Sequence, residues 1–142
     1  MSKNIPKVFF NASVILSGIN SPTGGSAYLL KLVKQKKIKG IISETILDEA
    51  KNNSHKINYE QENLEQIIKS VFLEIIASPD QKIVNKYDKI IIDTGDSHVL
   101  ASSEESKAKY LVTLDSKHLL ILKDKIKKPK ILSPKELIEA LI

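Results

Sequence analysis

The chain has 142 residues and a net charge of +5, with 42% hydrophobic and 27% charged residues, a globular rather than a disordered composition. It has no cysteine, which excludes disulfides, thiolate catalysis and thiolate-held zinc. All 22 basic residues are lysine, so nucleic acid, the first anionic partner to consider, would meet point charges rather than the bidentate fork of arginine. An AT-rich genome biased toward lysine and isoleucine gives the same balance without any such partner.

The length suits a single domain spanning residues 1–142. The opening MSKNIPK carries no apolar segment of signal-peptide length, and no run approaches a transmembrane helix. A cytoplasmic protein without a membrane partner is the expectation.

In chain order, Val8, Phe9 and Phe10 form an apolar run suited to a parallel strand covered on both faces. It breaks into Asn11-Ala12-Ser13, where Asn11 is either a turn residue or part of a site. Ser21 to Gly25 reads as a turn. From Ser26, Ala27, Leu29, Leu30, Leu32 and Val33 recur at helical spacing, with Gly40 as the residue past the helix end. Gly40 to Ser43 reads as a second strand, and Ser43 as the N-cap of a helix with Glu44 in its first turn. Residues 51–63 are a polar helix junction, after which Leu64, Ile67, Ile68, Val71 and Phe72 restore helical spacing. The stretch LEIIAS is either a short strand or the end of that helix.

Two further strands are expected over Lys89 to Ile92 and Tyr110 to Leu114, flanking a helix that begins near Asp96. Lys130 to Leu132 is a last strand, and Ser133-Pro134 opens a terminal helix with proline in its first turn. This alternation predicts an α/β fold around a mostly parallel sheet.

In such a sheet the strand C-termini share one edge, where residues distant in sequence converge. Asp93, Asp96 and Asp115 fall at those ends, Glu49 lies in the helix after the second strand, and Asn11 follows the first. Singly, each has a structural reading: Asp96 as an N-cap, Asp115 as a turn residue, Glu49 as a solvated helix residue. Jointly, oxygen ligands without Cys or a His spacing typical of zinc suit Mg²⁺ or Mn²⁺. A divalent ion held by carboxylates in turn suits phosphodiester hydrolysis. Ser13 and Thr113 stand beside these positions as supporting hydrogen-bonding groups. His55, His98 and His118 read as surface or supporting residues, and the lysine clusters KQKKIK and KDKIKKPK as solvated faces or phosphate contacts.

The stretches VFFNASVILSGINSPTGGSAYLL, SETILDEA, DTGDSHVLASSEESKAKYLVTLDSKHLL and ILSPKELIEAL together resemble a PIN-domain ribonuclease of the kind found as the toxin half of VapBC-type toxin–antitoxin pairs. The resemblance runs nearly end to end. It implies a three-layer α/β/α sandwich and hydrolysis of RNA with Mg²⁺ or Mn²⁺ held by a group of acids. It maps those catalytic, metal-holding positions onto Asn11, Glu49, Asp96 and Asp115, with Asp93 as an additional acid. Thr113 matches the family's Thr-x-Asp motif and Ser13 the Asn or Ser two residues after the first ligand. An antitoxin partner and a homodimer are further implications.

Asn11 is the departure, standing where the family carries aspartate. The two side chains are nearly isosteric, but the amide brings no charge and its NH₂ is a donor. Weakened or silenced cleavage follows from that change. The competing reading is a catalytically silent module that binds RNA or a protein through the same groove. Phosphatase chemistry of the HAD type needs two aspartates after strand one, which NASV lacks, and a Toprim nuclease would need an Asp-x-Asp pair.

Overall fold

The computed structural model describes residues 4–88 and 95–142. The expected strand at 89–92, and Asp93 with it, lie outside the described residues. The apolar runs become β1 (Lys7–Phe10), β2 (Lys39–Ser43), β3 (Glu74–Ile76), β4 (Tyr110–Val112) and β5 (Lys130–Leu132). They form one sheet in the order β3-β2-β1-β4-β5, and every neighbouring pair is parallel. Val8 of β1 stands opposite Gly40 on one side and Tyr110 on the other. Val8, Phe9 and Phe10 are fully buried, as central strands covered on both faces must be.

The helices are α1 (Ala12–Asn20), α2 (Gly25–Lys34), α3 (Glu44–Asn52), α4 (Gln61–Val71), α5 (Gln81–Tyr87), α6 (Gly95–Glu105) and α7 (Pro134–Leu141). From β1 to β3 the chain steps outward in one direction, then returns across the sheet to β4. Right-handed crossovers therefore put α1 to α4 on one face and α5 and α6 on the other. Contacts agree, with α1 on α2 and α3, α3 on α4, α7 on α2, and α5 on α6. The result is the three-layer α/β/α arrangement expected. The strand order reverses between β1 and β4, and the crevice beyond the C-termini of those two strands is where open α/β sheets form sites.

Several local readings are refined. LEIIAS is strand, pairing Ile41 to Ser43 with Glu74 to Ile76. The strand expected to run to Leu114 ends at Val112; Thr113 N still donates to Leu132 O at 3.1 Å, and Leu114 N then turns to Ser13 Oγ at 3.2 Å. Helix α1 follows β1 directly with Asn11 as its N-cap, a helix the sequence reading treated as a break. Ser43 caps α3 as expected, its Oγ accepting from Ile46 N at 3.1 Å. Ser133 and Glu136 form a reciprocal capping box on α7.

Gly40 does not end α2. That helix stops at Lys34, and Lys36 takes the left-handed turn at φ 61°. Gly40 is instead a strand residue under close approach: a Cβ there would lie 2.8 and 2.9 Å from the Val33 methyls and 2.9 Å from Phe72 Cε1. Val33 is β-branched and stiff, and Phe72 is wedged edge-on against Phe10 with ring centroids 5.1 Å apart. Gly40→Ala is therefore expected to cost about 1–3 kcal/mol, the usual penalty of overpacking. Chemical denaturation at unchanged m-value would measure it, and a neutral result would mean that α2 can yield.

Glu65 of α4 joins Lys51 of α3 at 2.8 Å and Lys69 at 2.8 Å. Hydrogen bonds from both lysines hold its carboxyl down to about 2 from the usual 4.5. Lys123 and the Ser133 backbone depress Glu136, and Lys86 with Tyr87 depresses Glu104. A depressed carboxyl stabilises the fold above its unfolded value and stops doing so as pH falls through the folded one. The thermal midpoint should thus hold steady above pH 4.5 and decline toward pH 2. Glu65→Gln should flatten part of that decline in a circular-dichroism titration. An equal slope in the variant would remove Glu65 from the account.

Candidate metal centre

The site is assembled from the two strand ends that flank the switch point. Asn11 N donates to Val112 O at 3.0 Å, carrying the β1–β4 ladder one residue beyond the strands. The Asn11 side chain is buried, 6% exposed. Its Oδ1 accepts from Ala12 N at 2.8 Å, the N-cap bond of α1, and its Nδ2 donates to Thr113 Oγ1 at 2.7 Å. Thr113 is fully buried, and its Oγ1 also accepts from Asp115 N at 3.0 Å. One hydroxyl thus locks the end of β1 to the turn after β4. Ser13 adds a second tie, its Oγ accepting from Leu114 N at 3.2 Å.

Asp115 organises the following turn. Its Oδ1 accepts from Lys117 N at 3.1 Å and His118 N at 3.0 Å, while Oδ2 lies 3.2 Å from His118 Nδ1. Asp96 comes from the opposite direction, in the first turn of α6 and not as its N-cap, since the helix begins at Gly95. Helix α6 is anchored to α5: Ser97 Oγ donates to Asp88, and Tyr87 Oη donates to Glu104 at 2.6 Å. Burial, then the Glu104 carboxylate, pushes the Tyr87 hydroxyl well up, so it stays a proton donor.

Donor atoms of Asp96, Asp115 and His118 lie within 4.8 Å of one another, each residue half-buried. The structure therefore brings together two of the predicted acids, with Asn11 and Thr113 bonded to the same turn. Glu49 is exposed on α3, outside that group of three. His118, read as a surface or supporting residue, is half-buried against Asp115 and is one of the three. Its signal was the spacing Asp115-Ser-Lys-His118, which folds an imidazole back onto the carboxylate when the strand ends in a tight turn. His55 is exposed, as expected, and His98 is half-buried in α6.

The donor set fits a divalent cation. Two carboxylates and an imidazole, from different elements and partly open to solvent, are a hard-to-borderline ligand group. Asn11, a neutral amide, adds no charge to it; its oxygen is turned to the α1 backbone and its NH₂ to Thr113.

A profile of the PIN domain matches residues 7–117, which covers the first four strands and both aspartates of the site. The chain belongs to the PIN domain family. Among solved structures it is similar to VapBC2 from Rickettsia felis bound to a DNA fragment from their promoter, with a TM-score of 0.66 at 17% identity over 89% of this chain and 98% of that one. It is likewise similar to FitAB bound to the IR36 DNA fragment, with a TM-score of 0.64 at 17% identity over 89% of this chain and 94% of that one. At that identity the likeness is one of fold. No curated protein matches the sequence. Among the described residues no helix is long and apolar enough to cross a membrane.

Proposed function

We propose that the chain is a metal-dependent endoribonuclease of the PIN family whose activity is weakened by the neutral side chain at position 11. The observation that carries this reading is the convergence of Asp96 and Asp115 at the β1–β4 crevice, with Asn11 hydrogen-bonded through Thr113 to the same turn. Asp96 and Asp115 would hold the cation, with Glu49 and Asp93 as further carboxylates of the set and Asn11 in the place of the first ligand. Mg²⁺ or Mn²⁺ held there supplies activation of water and neutralisation of the scissile phosphate. Thr113 fixes the distance between residue 11 and Asp115, and Ser13 holds the backbone of Leu114. The lysines at 34–39 and 123–130 give RNA a sequence-independent electrostatic attraction.

A protein partner in the manner of an antitoxin, and self-association, belong to the same proposal; the similar structures are those of VapBC2 and FitAB. The rival is the silent binding module, and cleavage separates the two. RNA cut in Mn²⁺ by the Asn11→Asp chain, and no longer cut after EDTA or with Asp96→Ala added, supports the nuclease. A reverted chain that binds RNA without cutting it supports the module.

A further inference from the structure

We infer that His118 is itself a metal ligand, and that this makes the site prefer transition ions such as Mn²⁺ and Co²⁺ over Mg²⁺. The inference rests on the nuclease reading of the site and adds to it an assignment of which ion the site selects. Asp115 divides its two oxygens: Oδ1 takes the backbone N–H groups of Lys117 and His118, which leaves Oδ2 facing the imidazole. The Asp115 Oδ2 to His118 Nδ1 distance is 3.2 Å. Two ligands at right angles on an octahedral ion, each ~2.1 Å from it, stand ~3 Å apart. Asp96 reaches the same space from α6, within 4.8 Å of both. The same 3.2 Å would serve a His–Asp hydrogen bond with the imidazole standing behind the carboxylate, and nitrogen coupling to a bound ion separates the two arrangements.

The selectivity follows from the ligand chemistry. Mg²⁺ depends on anionic oxygen and gains little from imidazole, whereas Mn²⁺, Co²⁺ and the later ions gain progressively more. Position 11 offers an amide in place of a carboxylate, with its oxygen engaged by Ala12 N. That loss falls hardest on Mg²⁺. His118 supplies a donor that restores affinity only to ions able to use nitrogen.

Binding of Mn²⁺, Co²⁺ and Mg²⁺ to the unmodified chain and to His118→Gln would be measured by calorimetry. Pulsed electron paramagnetic resonance of the Mn²⁺ form would look for nitrogen coupling. The expected result is Co²⁺ and Mn²⁺ bound at least tenfold more tightly than Mg²⁺ with imidazole coupling in the spectrum. In His118→Gln the coupling should vanish and Co²⁺ affinity fall about tenfold, with Mg²⁺ affinity nearly unchanged; fold integrity is checked by the thermal midpoint. Mn²⁺ bound without nitrogen coupling, and unaffected by His118→Gln, overturns the assignment while leaving a carboxylate-only nuclease intact. Failure of any ion to bind, even to Asn11→Asp, overturns the assignment and the nuclease reading together.

Discussion

Asn11→Asp is expected to raise Mn²⁺-dependent RNA cleavage by about 100-fold or more, since even groups that only orient a metal's ligands are commonly worth 10–100-fold. The geometry accepts the change. An aspartate keeps the N-cap bond to Ala12 N and places a negative charge at the N-terminus of α1, where the helix dipole favours it. The bond to Thr113 needs only a reversal of polarity. Thr113 Oγ1 now accepts from Asn11 Nδ2 and from Asp115 N. Against a carboxylate its hydroxyl proton would point at residue 11 while the oxygen continued to accept from Asp115.

Burial makes the same substitution costly without a cation. Position 11 is 6% exposed, and a carboxylate there would add a third negative charge beside Asp96 and Asp115. Like charges brought together out of water destabilise the fold until a cation is shared or a proton is held. The reverted chain should therefore melt below the parent in EDTA, and its midpoint should rise more than the parent's when Mn²⁺ is added. Identical metal responses in the two chains would detach residue 11 from the metal centre.

The second large effect is on stability. Thr113→Val preserves shape but removes the acceptor shared by Asn11 Nδ2 and Asp115 N. The amide of Asn11 is then buried without an acceptor, and a stranded buried donor costs about 1–3 kcal/mol. With the turn bond also lost, about 2–3 kcal/mol is expected, a fall of roughly 6–10 °C in thermal midpoint. Thr113→Ser, which keeps the hydroxyl, should recover most of it. A double-mutant cycle with Asn11→Ala isolates the pair: if the coupling is near zero, the hydroxyl is not the tie between β1 and the Asp115 turn.

Much of the fold was legible because its strands are buried on both faces. Val8-Phe9-Phe10 reads as a continuous apolar run and Ile131-Leu132 as a shorter one just before the Ser133-Pro134 helix start, and both lie in strands of the sheet. The caps Ser43 and Ser133 were legible for a local reason, since each needs only its own side chain and the next turn. Helix α1 was not, because nothing in Asn11-Ala12-Ser13 separates an N-cap from a loop until the strand before it is placed. Helix α5 escaped notice for a similar reason: it is short, and its position comes from ties to α6 rather than from its own periodicity.

At the site, the convergence of Asp96 and Asp115 follows from strand-edge logic. Gly40 and His118 could not be assigned that way. The glycine is required by Val33 and Phe72 pressing on it, and the histidine's part comes from a turn that folds it back onto Asp115. The first is a fact of packing between segments distant in sequence, which spacing along the chain does not encode; the second is encoded by a three-residue spacing that gains meaning only once the turn at Asp115 is placed.

The most direct test of the central claim is the chemistry of the RNA ends left by Asn11→Asp in Mn²⁺. Hydrolysis by water that a cation held by Asp96 and Asp115 would activate, with the 3′ oxygen as leaving group taking up a proton, would leave a 5′-phosphate and a 3′-hydroxyl. The account predicts those ends, their loss with Asp96→Ala, and weaker formation of the same ends by the unmodified chain. Uncut RNA with the reverted protein, or 2′,3′-cyclic phosphate ends that persist in EDTA, would contradict it.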